Sequence, residues 1–332
     1  MNSCVSILVP AYNADRWIGS ALESALNQSW TKTEIIVVDD GSRDQTFAVA
    51  KRYESTKIKV MRQENRGPAA ARNTALREAQ GDFLQYLDAD DLLSPDKIRE
   101  QLALLRDNPD HLSVSSAIYF FDGQDPNSGL VERSGALDTD DPVNWLVELL
   151  GPDGPFGMVP YGAWLTPHSI AMRAGPWDDS IRSPDDDGEY FARVVLASRG
   201  VRASRVGRYY YRKFVQGNSY STTYSEMLLR GRLHSLNCKA RWLLARTRDP
   251  RAYRALANRY MDLAFGAYPS FPKLTEEALR KVQEMGGTDY IPRFATWKGN
   301  LLSRVLGWKV TRKLNAAFHS EWRKAPGTSY PK

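Results

Sequence analysis

Over its first hundred residues the chain alternates short apolar runs with amphipathic stretches. Val5–Val9 forms an apolar run closed by Pro10, and Trp17, Ile18, Ala21, Leu22, Ala25 and Leu26 then recur at helical spacing. Glu34–Val38 is a second strand ending at Asp39-Asp40-Gly41. Ser42-Arg43-Asp44-Gln45 has the form of a capping box, which predicts a helix from there towards Tyr53. Ile58–Met61 is a third strand, Pro68 opens a helix through Ala79 that Gly81 ends, Phe83–Leu87 is a fourth strand, and Ser94-Pro95 opens a helix through Leu105. Strands alternating with helices in this way predict an α/β, Rossmann-like, mostly parallel sheet flanked by helices, with ligands at the carboxyl ends of the strands.

Beyond residue 110 the pattern predicts a strand at Ser113–Phe121, a helix at Pro142–Leu150, a Gly/Pro-rich loop at Gly151–Gly162 suited to a lid over the acceptor, a helix from Gly188 to Ser198 and a strand at Arg208–Lys213. From Tyr224 onward it is mostly helical, broken near Pro250, Pro269, Pro272, Gly286-Gly287 and Pro292. These shifts predict a catalytic unit over 1–220, divided into halves 1–110 and 111–220, and a helical extension over 221–332.

Charge adds an asymmetry. Residues 1–200 carry 19 Lys+Arg against 31 Asp+Glu, and residues 201–332 carry 26 against 8, giving net charges of −12 and +18. An acidic, site-bearing half followed by a basic half points to a phosphate, an anionic lipid surface or nucleic acid as partner, or to basic helices packed on the acidic half. No DNA- or RNA-binding motif is present, which argues against nucleic acid. The segment Trp297–Lys324 carries Lys298, Arg304, Lys309, Arg312, Lys313, Arg323 and Lys324 with interspersed Leu, Val, Trp and Phe. It predicts either peripheral contact with an anionic membrane or packing on the catalytic unit or on a second copy in a homo-oligomer.

Cys4 and Cys238 are unpaired in spacing, and the four histidines are scattered, so no disulfide framework or Cys/His zinc pattern is legible. With no signal-peptide pattern and no apolar run near the ~18 residues needed to span a bilayer, a cytoplasmic protein, peripheral at the inner membrane face where the basic helices bind lipid, is expected.

Chemistry-bearing residues fall at strand ends. Asp88-Ala89-Asp90-Asp91 packs carboxylates whose mutual repulsion a hard divalent ion, Mg2+ or Mn2+, would offset; helix capping is the plainer alternative. Asp39 can accept from a base N–H or simply belong to an Asp-Gly turn, and Tyr12 in Pro10-Ala11-Tyr12-Asn13 offers a ring to a flat base or covers the sheet edge. Asn65-Arg66-Gly67-Pro68 leads into a helix whose N–H groups suit phosphate, with Arg72 one turn further in. Asp185-Asp186-Asp187-Gly188-Glu189 offers a general base or serves the helix dipole.

Ser6–Asn13, Ile36–Ser42, Asn65–Pro68 with Ala71-Arg72-Asn73, and Tyr86–Asp91 together resemble family 2 of the inverting glycosyltransferases, which have the GT-A fold. The resemblance covers residues 4–105 well and 160–220 more loosely. It implies a nucleotide-sugar donor, commonly a UDP-sugar, and a glycan or lipid-linked acceptor in polysaccharide, O-antigen or other glycan assembly. Donor contacts would come from Pro10, Ala11, Tyr12, Asp39, Gly67, Arg72, Asp88 and Ala89. Asp90 would ligate the metal with Asp88 beside it, and Asp187, with Asp186 as the neighbouring choice, would be the catalytic base. Two positions depart from the family pattern: Ala75 replaces a common Gly, and Tyr211-Arg212-Lys213-Phe214 lacks a His, a role left to Arg212, Lys213 or Ser219. The competing readings are a nucleotide-sugar-binding protein without activity, which the intact carboxylates oppose, and a sugar nucleotidyltransferase, whose Gly-rich phosphate loop after the first strand is missing here.

Overall fold

The computed structural model describes residues 3–132, 138–151, 159–181, 183–214 and 225–324. The expected boundary at residue 220, Ser219, and residues 152–158 of the expected lid lie outside them.

The first half follows the sequence pattern closely. Strand β1 (Val5–Ala11), helix α1 (Ile18–Leu26), β2 (Thr33–Asp39), α2 (Thr46–Lys51), β3 (Ile58–Arg62), α3 (Pro68–Glu78) and β4 (Phe83–Tyr86) build parallel pairs β3–β2, β2–β1 and β1–β4. Every residue of β1 and β4 is buried, as expected for strands covered on both faces. The expected capping box does not start α2. Ser42 instead turns its hydroxyl to accept the Asn13 N–H at 3.0 Å, Asp44 accepts from the Thr46 N–H at 2.9 Å, and the helix begins at Thr46. A contact with a neighbouring strand end has displaced the local cap.

After β5 (Leu92–Leu93) and α4 (Lys97–Leu105), the sheet continues through β6 (His111–Phe121), β7 (Leu130–Glu132), β8 (Trp164–Pro167) and β9 (Gly200–Lys213) in the order β3-β2-β1-β4-β8-β6-β9-β5, with β7 on β6. This part is mixed: β8 runs antiparallel to both β4 and β6, while β9 runs parallel to β6. Helices α5 (Pro142–Leu150), α6 (His168–Ala174) and α7 (Asp186–Ala197) complete it. The strand β8, the helix α6 and the long first half of β9 were not legible, because their apolar runs are short.

Five helices follow: α8 (Glu226–Leu244), α9 (Pro250–Ala267), α10 (Pro272–Glu284), α11 (Trp297–Leu306) and α12 (Trp308–Lys324). The breaks fall at the expected prolines, with Pro250 and Pro272 in the first turns of α9 and α10. Helices α8 to α10 share one apolar core with α5 and α7, in which Leu146, Leu150 and Leu196 meet Leu236, Leu243, Leu256 and Leu274. The basic half therefore packs on the acidic half over α8 to α10. Among the described residues no helix is long and apolar enough to cross a membrane.

Candidate active site

The carboxyl ends of β1 and β4, the turn before α3, the start of α7 and the inner faces of α8 and α9 surround one cleft of about 1990 Å³. On its donor side, Pro10, Ala11 and Tyr12 line the wall, and the Tyr12 ring is 46% exposed, open to a stacking partner. Gly67, with φ +93°, lets the backbone turn into α3, and the carboxylate of Asp40 fastens this turn by accepting the N–H groups of Arg66 and Gly67 at 3.0 and 2.8 Å. The preceding Asp39 has another environment. It is fully buried, its carboxylate lies 3.1 Å from Arg62 Nε, and it does not line the cleft. Base-edge contact by Asp39 would require Arg62 to yield its place.

Arg72 lies at the floor. Its guanidinium sits 4.4 Å from the Tyr161 ring centroid and 4.5 Å from that of Trp177, and donates to Asp186 Oδ2 at 2.7 Å. Burial works against its charge, but Asp186, Tyr161 and Asp88 outweigh that penalty and hold it protonated. Tyr161, which sequence reasoning left inside a featureless loop, donates its hydroxyl to Asp88.

Asp88, Asp90 and Asp91 place one carboxylate oxygen each within 4.8 Å of one another. Three acids so close in a buried wall resist ionising together: burial and the Asp88 charge push Asp90 up to about 7, and burial with Asp90 and Asp88 holds Asp91 well above the usual carboxylate range. Asp91 is committed to the protein, accepting from the Tyr209 hydroxyl at 2.5 Å and the Arg212 N–H at 2.7 Å. Asp90 differs: its carboxylate accepts no side-chain hydrogen bond among the described residues, although Arg212 donates to its carbonyl oxygen at 2.7 Å. An all-oxygen cluster, short of counter-charge and with one uncommitted member, fits a hard divalent cation.

Facing it, three consecutive carboxylates at the start of α7 have three different fates. Asp185 pairs with Lys239 at 2.7 Å and accepts from Ser235 at 2.7 Å, both from α8. Asp186 is held by Arg72. Asp187, half-buried, accepts only the Gly188 N–H, at 2.7 Å, among the described residues, and burial together with Asp186 and Asp185 lifts it to about 7. A carboxylate with a free oxygen and a pKa near neutrality suits proton abstraction.

Arg212 and Lys213 both line the cleft, and Arg212 also bridges to Asp122 at 2.9 Å, which Arg16 and Trp17 hold from the other side at 2.8 and 3.2 Å. Sequence reasoning missed Tyr161, Trp177 as a partner of Arg72, Asp122 and Lys239. Only Lys239 left a trace, as a cation among the buried residues of α8. The wall contributed by Arg232, Leu236, Lys239 and Leu263 shows that the C-terminal helices form part of the cleft itself.

Residues 6–148 match the sequence family described as Glycosyl transferase family 2. An uncharacterized glycosyltransferase of Haemophilus influenzae is 38% identical over 120 residues, 35% of this chain and 47% of that protein. The Escherichia coli UDP-Glc:alpha-D-GlcNAc-diphosphoundecaprenol beta-1,3-glucosyltransferase WfgD is 37% identical over 105 residues, 31% of this chain and 42% of that protein. The aligned part thus spans less than half the length of these relatives. The Staphylococcus aureus TarS 1-349 structure in complex with UDP superposes with a TM-score of 0.60 at 15% identity, covering 88% of this chain and 94% of that one. The same fragment in complex with UDP-GlcNAc superposes with a TM-score of 0.58. The fold is accordingly similar to that of TarS, a mixed α/β sheet flanked by helices with a helical C-terminal region, and residues 6–148 are the part of the chain that matches glycosyltransferase family 2.

Proposed function

We propose that the chain transfers a sugar from a nucleoside diphosphate donor to an acceptor hydroxyl with inversion at the anomeric carbon. The observation that carries this reading is the division of labour among the acids: among the described residues, Asp187 alone of its trio keeps a free oxygen, and Asp90 alone of the facing trio lacks a side-chain donor. Asp187 takes the acceptor proton, the acceptor oxygen bonds to the anomeric carbon, and the carbon–oxygen bond to the diphosphate breaks, its electron pair leaving with the nucleotide. A divalent ion held by Asp90 and Asp88 would offset charge on the departing diphosphate. Tyr12 stacks on the base, and Gly67, Pro10, Ala11 and Ala89 shape the donor wall. Arg72 orders Asp186 and Asp88 from below. A UDP-sugar is the proposed donor because TarS binds UDP and UDP-GlcNAc and WfgD is named for UDP-Glc. Glycan assembly is the proposed setting.

Thermal-shift screening of UDP, GDP and dTDP with and without Mn2+ tests the donor assignment. UDP with Mn2+ is expected to raise the melting temperature most, by mass action on the folded state. Equal responses to all three, or none, would contradict it.

Peripheral membrane contact belongs to the same reading. Helix α11 buries Gly299 and Ser303 and exposes Trp297 (71%), Leu301 (54%) and Val305 (75%), the reverse of a helix packed on a core. From Trp297 to Ser320 the chain has no Asp or Glu, so a second copy docked by this face would meet like charges, whereas an anionic bilayer offers both apolar depth and counter-charge. Flotation with liposomes is expected to carry the chain upward with anionic lipid and not with neutral lipid. Absence of flotation at low salt would count against membrane contact.

A further inference from the structure

On the outer side of α8, away from the donor wall, three unlike donors converge. His234 and Cys238 stand one helical turn apart on α8, and Asp178 reaches them from the segment between α6 and α7. Asp178 Oδ2 is 3.4 Å from His234 Nε2, and Cys238 Sγ is 3.9 Å from that same nitrogen, with all three donor atoms inside 4.8 Å.

We propose that Asp178, His234 and Cys238 form a second cation site, for a borderline divalent ion such as Zn2+, that pins α8 to the segment leading into α7. Convergence on a single ring nitrogen decides between readings. A Cys-His-Asp relay needs the carboxylate on one imidazole nitrogen and the thiol on the other, whereas both contacts here meet Nε2. Donors on one tetrahedral zinc, at bond lengths of about 2.0–2.3 Å, lie about 3.3–3.6 Å apart, close to the two separations observed. Rotation of the exposed His234 about its side-chain bonds closes the remainder, and solvent would complete the fourth position.

The surroundings suit this role. Asp178 Oδ1 accepts from the Ser180 N–H at 2.9 Å and the Ser180 hydroxyl at 2.5 Å, which fixes the carboxylate and leaves Oδ2 to face His234. Cys238 is buried, and an arriving ion would displace the Sγ proton to solvent as the metal–sulfur bond forms. An imidazole, a thiolate and one carboxylate form a softer set than the all-oxygen cluster at Asp88–Asp91, which separates the two sites by ion preference. The consequence lies at the adjoining residues of α8, where Ser235 and Lys239 hold Asp185, two residues from Asp187. An ion at Cys238 would steady the helix that orders the base-bearing turn.

Titration of the full chain with Co2+, followed in the near ultraviolet, tests the site independently of any transfer reaction. A thiolate-to-cobalt charge-transfer band is expected to saturate at one equivalent, to persist in Cys4→Ser and to vanish in Cys238→Ser. The carboxylate cluster holds no sulfur and cannot produce it. Zn2+ is expected to abolish the band by displacement and to raise the melting temperature of the wild type but not of Cys238→Ser. If Cys238→Ser does not fold, His234→Ala at an exposed position supplies the variant, with a weakened band expected. A wild type with no band at saturating Co2+, a band that survives in Cys238→Ser, or wild-type affinity in His234→Ala would overturn the proposal.

Discussion

Asp187→Asn is expected to lower turnover by roughly 10²–10⁴-fold, the contribution of a positioned general base, while nucleoside diphosphate affinity stays unchanged. The substitution keeps volume and the hydrogen bond from Gly188 but removes the site that receives the proton. Because burial, Asp186 and Asp185 raise Asp187 to about 7, the wild-type rate carries a pH signature. Below about 7 the carboxyl holds a proton and cannot take another, so kcat/KM should rise with pH through that value and level off above it. The variant should lose this acidic limb. Asp186→Asn offers a contrast, since Asp186 is the counter-ion of the buried Arg72 and its loss leaves a charge unpaired, damaging stability as well as rate. Steady-state kinetics across pH distinguish the two, and near-normal turnover in Asp187→Asn would remove Asp187 from the mechanism.

The sequence was most informative where chemistry sits at the end of a strand. Tyr12, Asp88 and Asp90 reach the cleft because β1 and β4 end there, and apolar runs mark strand ends well. It was least informative where neighbours in sequence differ only in distant partners. Asp39 and Asp40 stand side by side, yet Arg62 claims the first while the second anchors the turn at Gly67. Asp185, Asp186 and Asp187 were indistinguishable until Lys239 and Arg72, one 54 residues later and the other 114 residues earlier, took the first two. The charge asymmetry was legible as a number but not as a plan. One part of it is packing, as at Lys239 and Asp185, and another part lies on α11 and α12 among exposed apolar side chains. Helical periodicity announced α11 and α12 as amphipathic but could not say that on α11 the small, polar side faces inward. Nor did the scatter of histidines and cysteines along the chain reveal that a loop would carry Asp178 to the turn of α8 bearing two of them.

The account turns on Asp90 as the open carboxylate of its cluster. Burial and mutual repulsion disfavour the charged forms of Asp88, Asp90 and Asp91, and a divalent cation would offset that repulsion and favour their ionisation. Losing such charge stabilisation costs several kcal/mol in the transition state, so Asp90→Asn should lose about 10²-fold or more in turnover. The more direct readout is binding. Calorimetric titration of UDP into the wild type and Asp90→Asn, each with Mn2+ and with chelator, is expected to give an affinity that Mn2+ strengthens in the wild type and leaves unaltered in the variant. An identical Mn2+ enhancement in both proteins would contradict the assignment of this cluster as the seat of the ion and the diphosphate.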